Sequence, residues 1–233
     1  MKLKKGMILS AGFGKRMMPT TKIIPKPLIK IGQTTLLENS ILILKKFGIQ
    51  DIIINAHHLS KEIENYIKNK TFHTNIKLVI EEKAILDTGG GILNATDEFG
   101  NEPFIVINPD TIWSNSHLKE FENLEKIYFD KNIATLLLVN KNRSFDKSFK
   151  GDFNIDKHGL VSRDKTNKMI FTGAQIINRN IFKNHIIEPF SMNIIWDELI
   201  AKNSLAGIES HQEFLHINTI ETYKKLISTR FTH

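Results

Sequence analysis

Three side chains distant in sequence carry the strongest chemical signal in this chain: Arg16, Lys26 and Asp110. Arg16 follows two glycines, Gly12 and Gly14, and Lys26 stands between Pro25 and Pro27. Glycines let backbone N–H groups approach an anion closely, while a guanidinium and an ammonium bring fixed positive charge to the same spot. The short apolar run Met7–Leu9 leads directly into this glycine-rich, basic and then proline-clamped segment, an order suited to holding a polyphosphate. Asp110 follows the apolar run Phe104–Asn108. Ligands of open parallel sheets gather at the carboxyl ends of strands, and a lone carboxylate there suits Mg²⁺, which keeps water and phosphate oxygens as its other ligands.

Two common phosphate loops are excluded. A Walker A loop needs Ser or Thr after its Gly-Lys and a glycine five residues before the last one; this chain has Arg16 and Leu9 in those places. The dinucleotide fingerprint needs a third glycine where Met17 stands.

The elements that must position these groups alternate. Met7–Leu9, Asp51–Asn55, Ile76–Glu81, Phe104–Asn108 and Ala134–Asn140 read as strands. Between them, Leu36–Phe47 has helical spacing and stops at Gly48, Ser60 is placed to cap a helix over Lys61–Lys68, and Leu118–Phe129 is helical. The second half predicts strands at Asp152–Ile155, Ile170–Ile177, Leu205–Glu209 and Phe214–Ile217, with helices over Ile194–Ala201 and Thr219–Thr229. Such a βαβα rhythm implies a three-layer α/β fold, Rossmann-like, with a mostly parallel central sheet. Residues 1–233 read as one domain in two parts, up to about 140 and from about 141, with no linker or internal repeat.

Composition narrows the function classes. The 233 residues are 41% hydrophobic and 24% charged, ordinary for a globular protein. The net charge of +7 is spread along the chain without blocks of like charge, which argues against nucleic-acid binding but favours anionic substrates. There is no cysteine, so disulfide and thiolate chemistry is excluded. The apolar run after Lys2, Lys4 and Lys5 is too short for a signal peptide, and no stretch is long enough to span a membrane, so a cytoplasmic protein is expected.

The segment Leu9–Leu28 resembles the signature of the sugar-phosphate nucleotidyltransferases, Leu-Ala-Ala-Gly-x-Gly-x-Arg-x-x-Pro-Leu-Thr-x-x-x-Pro-Lys-Pro-Leu, at Leu9, Ala11, Gly12, Gly14, Arg16, Pro19, Thr21, Pro25, Lys26, Pro27 and Leu28; Ser10 and Thr20 depart from it. The resemblance implies nucleotidyl transfer from a nucleoside triphosphate to a sugar 1-phosphate, with a nucleotide-binding part up to about 140 and a sugar-binding part from about 141, with Mg²⁺ as cofactor and no nucleic-acid or membrane partner, by a monomer or homodimer. It implies Arg16 and Lys26 as catalytic residues and Leu9, Ala11, Gly12, Phe13, Gly14, Asn55, Thr88, Gly89 and Gly90 as the nucleotide site. Sugar contacts fall to Asp152, Thr172, Gly173 and Asn193, and Asp110 is the first metal ligand. The second ligand position departs: relatives carry Asp-Val-Gly-Thr where this chain has His216-Ile217-Asn218-Thr219. His216 either ligates the metal, donates to phosphate, or is structural. The Thr88-Gly89-Gly90-Gly91-Ile92 form resembles the branch with N-acetylmuramate-1-phosphate uridylyltransferases, which makes UTP and that sugar phosphate the first expectation. Mannose-1-phosphate guanylyltransferases, phosphocholine-type cytidylyltransferases and a nucleotide-binding regulatory protein are the alternatives. His57 and His58 lack the partners of a metal site, and Trp113 reads as a packing residue.

Overall fold

The computed structural model describes residues 2–231. Its strands are β1 (Lys5–Leu9), β2 (Lys30–Ile31), β3 (Thr34–Thr35), β4 (Asp51–Ala56), β5 (Asn75–Ile80), β6 (Phe104–Ile107), β7 (Ala134–Asn140), β8 (Asn154–Ile155), β9 (Val161–Ser162), β10 (Met169–Ile177) and β11 (Leu205–Ser210). Its helices are α1 (Leu36–Phe47), α2 (Ser60–Lys68), α3 (Asp87–Ala95), α4 (His117–Lys131), α5 (Met192–Ala201) and α6 (Ile220–Arg230). Seven strands form one sheet in the order β11-β7-β10-β6-β1-β4-β5. Every pair is parallel except those of β10, which runs antiparallel to both β6 and β7. The Rossmann-like fold with a mostly parallel sheet is therefore what the chain adopts.

Strand alternation builds two cores. Ile8, Ile52, Ile54, Ile105 and Ile107 face α1, α2 and α4, while Met7, Ile53, Phe104 and Val106 face α3 and α5. A buried run such as Ile52-Ile53-Ile54 thus serves both faces, as strands covered on two sides do. A third apolar cluster, including Met17, Ile29, Ile217 and Leu226, pins the signature segment against α6.

Local signals explain most boundaries. Thr35 caps α1 by accepting from the Glu38 amide at 3.1 Å, and Gly48 ends it in the left-handed region at φ 103°. Three expectations need correction. Ser60 does not cap α2: it is the first residue of that helix, and Leu59, held at φ 53°, stands in the cap position without a side-chain bond. Phe214–Ile217 forms no strand ladder and makes only single bridges, Ser144 with Phe214 and Thr111 with His216, because it crosses the ends of other strands rather than lying beside one. Of Asp152–Ile155 only Asn154–Ile155 is ladder, with Phe153 bridged to Met169.

Because β10 is antiparallel, its first half lies at the same edge as the carboxyl ends of β6 and β7, with Met169 opposite Asn140 and Ala174 opposite Ile107. That edge holds the candidate site. No helix among the described residues is long and apolar enough to cross a membrane.

Candidate active site

A cleft of about 360 Å³ opens at the carboxyl end of β1, β4 and β6. Its lining includes Leu9, Ser10, Ala11, Gly12, Gly14, Arg16, Lys26, Asn55, Thr88, Asp110 and Asn218. The two glycine-loop cations and the carboxylate, 84 residues apart in the case of Lys26 and Asp110, thus share one cleft.

The signature loop presents its backbone openly. The amides of Ala11, Gly12, Phe13 and Gly14 make no hydrogen bond among the described residues. A side chain on Gly12 would meet nothing within 4 Å, so that position is open space. Gly14 is in the left-handed region at φ 63°, and its added Cβ would stand 2.9 Å from Thr21, so the turn is closed to other residues twice over. Arg16 is exposed and forms no ion pair among the described residues. Phe13 does not line the cleft; its ring packs on His57 and His58 at 5.4 and 5.7 Å. Those histidines bond to the carbonyls of Glu81 and Thr21 and so brace the adjoining loops.

Lys26 and Asp110 form the polar centre. Lys26 Nζ lies 2.6 Å from Asp110 Oδ2, between the buried Pro25 and Pro27 that fix its backbone. His216 Nε2 approaches the same oxygen at 3.3 Å. Burial alone would raise the Asp110 carboxyl, but the charges of Lys26 and His216 and their hydrogen bonds hold it well below the usual carboxylate range. The ring of His216 is stacked on Phe214 and edge-on to Phe149. Among the described residues four buried side-chain atoms around this cleft lack a partner: Ser10 Oγ, Asp110 Oδ1, His216 Nδ1 and Asn218 Oδ1. Unpaired buried polar atoms are costly and call for a ligand. Among the described residues no three His, Cys, Asp or Glu side chains come together. A cation at Asp110 Oδ1 must then take most of its shell from phosphate and water, which fits Mg²⁺ better than a softer metal.

Asn55 reaches the cleft but is spent on the protein. It accepts from the Ser10 amide at 2.8 Å and donates to Glu81 Oε1 at 2.7 Å, while Glu81 Oε2 accepts from the Leu86 amide at 2.8 Å. This buried relay ties the start of the signature loop to the start of α3, and Glu81 has no signal in the sequence beyond ending an apolar run. The glycines of α3 also differ from expectation. The Gly89 and Gly90 amides both donate to the Phe190 carbonyl, at 2.9 and 3.1 Å, and are not open to a ligand. A Cβ on Gly90 would lie 2.0 Å from the Glu188 carbonyl oxygen, one on Gly89 2.3 Å from the Phe190 ring, and one on Gly91 2.9 Å from Asn55 and Glu81. Close packing, not ligand access, demands these glycines. Thr88 lines the cleft with its hydroxyl accepting from the Met192 amide at 2.8 Å.

The four expected sugar residues lie outside this cleft. Thr172 is 3% exposed, and its hydroxyl donates to the Leu137 carbonyl at 2.8 Å, so it braces β10. Gly173, at φ +94°, sits in the β10 bulge where a Cβ would come within 2.8 Å of Asn108. Asp152 is exposed and accepts from the Phe171 amide at 2.9 Å. Asn193 is bound by Ser191 and by Arg163, whose guanidinium also pairs with Asp197 at 2.7 Å and lies 4.3 Å from the Phe153 ring centre. Trp113, as expected, is buried, with its indole donating to the Asn108 carbonyl at 3.1 Å.

Residues 5–147 match the family model described as nucleotidyl transferase. The chain belongs to that family, and it is a nucleotidyltransferase. It is 24% identical over 221 residues to the N-acetylmuramate alpha-1-phosphate uridylyltransferase of Caulobacter vibrioides, covering 92% of this chain and 91% of that one. It is 28% identical over 225 residues to the D-glycero-alpha-D-manno-heptose 1-phosphate guanylyltransferase of Campylobacter jejuni, covering 94% and 96%. The fold is that of HddC from Yersinia pseudotuberculosis complexed with GMP-PN, with a TM-score of 0.75 at 24% identity, covering 96% and 97%. It is also that of a UDP-glucose pyrophosphorylase complexed with UDP-glucose, with a TM-score of 0.79 at 17% identity, covering 96% of each chain.

Proposed function

We propose that this nucleotidyltransferase transfers a nucleotidyl group from a nucleoside triphosphate to a sugar 1-phosphate, releasing pyrophosphate, with UTP and N-acetylmuramate 1-phosphate as the substrate pair. The convergence of Arg16, Lys26 and Asp110 on one cleft supports the reaction class. The full-length match to a uridylyltransferase for that sugar phosphate and the Thr88–Ile92 sequence support the pair. The match of similar length to a heptose 1-phosphate guanylyltransferase makes guanylyl transfer the second reading.

The acceptor is a phosphate already ionised at neutral pH, so no general base is needed, and catalysis reduces to placement and charge neutralisation. One acceptor oxygen bonds to the α-phosphorus as the bond to the β-phosphate bridging oxygen breaks, and the electron pair leaves with pyrophosphate. Arg16, without a carboxylate of its own, grips the departing phosphates. Lys26, rigid between its prolines, neutralises charge where donor and acceptor phosphates meet. The amides of Ala11–Gly14 hold the triphosphate, and Asp110 Oδ1 would hold Mg²⁺, which when bound withdraws charge from the phosphate oxygens.

Four nucleoside triphosphates tested against several sugar 1-phosphates for pyrophosphate release check this reading. Turnover with UTP and N-acetylmuramate 1-phosphate well above every other pair is expected; a best rate with GTP replaces the pair with the second reading, and no release with any pair overturns the function.

A further inference from the structure

The segment after Phe214 runs extended across Asp110, with the Ile217 amide donating to the Asp110 carbonyl at 2.8 Å and His216 bridged to Thr111. Side chains two apart on an extended chain point the same way. Ile217 is fully buried in the apolar cluster beneath α6, which turns His216 and Asn218 together toward the cleft side. His216 spends Nε2 on Asp110 Oδ2, the oxygen that Lys26 also holds. At this crossing the oxygens Asp110 Oδ1 and Asn218 Oδ1 are left unpartnered among the described residues, and both residues line the cleft; the third unpartnered oxygen of the lining, Ser10 Oγ, is on the signature loop.

We propose that Asn218 supplies the second protein oxygen to the divalent cation, and that His216 is a positioning residue that fixes Asp110 through its Nε2–H. Resting on the function proposed above, it sets aside the metal-ligand role among the three that the sequence leaves open to His216. A carboxylate oxygen and an amide oxygen are a hard donor pair of the kind that magnesium and manganese accept, whereas the remaining His216 Nδ1 suits softer metals. With Lys26 beside it and a single carboxylate, the site attracts a free cation weakly. The cation therefore enters with the triphosphate.

Mn²⁺ binding to the full chain, read by electron paramagnetic resonance of free Mn²⁺ with and without a non-hydrolysable UTP analogue, tests this. Expected are weak binding without nucleotide, tight binding with it, and a loss of about tenfold in Asn218→Ala with the melting temperature kept. Asn218→Asp binds Mn²⁺ more tightly even without nucleotide, and it decides the matter alone if the alanine variant melts early. His216→Gln, which keeps an N–H donor, retains the affinity that His216→Ala loses. Unchanged Mn²⁺ affinity in both Asn218 variants, with nucleotide still bound, overturns the ligand assignment alone. A wild-type chain that binds neither the nucleotide analogue nor Mn²⁺ overturns the proposed function with it.

Discussion

Two glycine-rich segments border the same cleft and work in opposite ways. In Ala11–Gly14 the amides are unspent and Gly12 has open space where a side chain would go. In Gly89–Gly91 two amides are spent on Phe190, and every added Cβ would collide with neighbours. The same residue type thus exposes backbone to a ligand in one place and lets a helix press against a crossing strap in the other. Around them, polar groups divide likewise: Asn55 and Glu81 are satisfied within the protein, whereas Asp110, His216 and Asn218 keep unpaired atoms.

The contrast is sharpest in variants. Lys26→Ala and Asp110→Asn should each lower turnover by at least about 100-fold, the scale of losing one electrostatic stabiliser, with circular dichroism showing the fold kept even where the melting temperature falls. Steady-state kinetics beside a melt checks this; near-normal turnover in either variant removes its assigned role. Gly90→Ala should cost about 2–3 kcal/mol in denaturant unfolding, because its methyl has only backbone to displace, whereas Gly12→Ala should leave stability unchanged and weaken nucleotide binding. If both glycines behave alike, the contrast fails. Asn55→Ala strips the Ser10 amide and Glu81 Oε1 of their partner and should destabilise by about 1–3 kcal/mol while raising KM for the nucleotide.

The smallest effect concerns His117, remote from the chemistry. Burial lowers its pKa from the ordinary histidine value, the Glu120 charge and the bond with Ser114 opposing only in part. The folded protein favours the neutral ring, so as pH falls below about 6.5 the unfolded chain takes up the proton first. The stability contribution is full above that pH and fades toward the lower folded pKa. Unfolding free energies at pH 7.5 and 5.5 should differ less in His117→Gln than in wild type.

Much of the architecture was legible. Leu36–Phe47 and Ala134–Asn140 form over the ranges their patterns indicate, because helical spacing with a Thr35 cap and a Gly48 stop, or a continuous apolar run, is a local property. The second half was less legible. Thr172 and Gly173 belong to a bulge in which Gly173 packs against Asn108, 65 residues away in sequence. Arg163 gave no signal, since its contacts with Asp197 and Phe153 join segments that are not neighbours in sequence.

The sequence by itself determined the strand-and-helix rhythm, the identity of the charged groups and the glycine-loop chemistry, all of which depend on residue type and short-range spacing. Only the tertiary structure decided which polar atoms remain free. Lys26 and His216 meet at one oxygen of Asp110, and Asn218 is turned beside them, because a sheet edge and a crossing segment bring three distant stretches together. Hydrogen bonds over such separations follow from packing, and packing is a property of the whole chain.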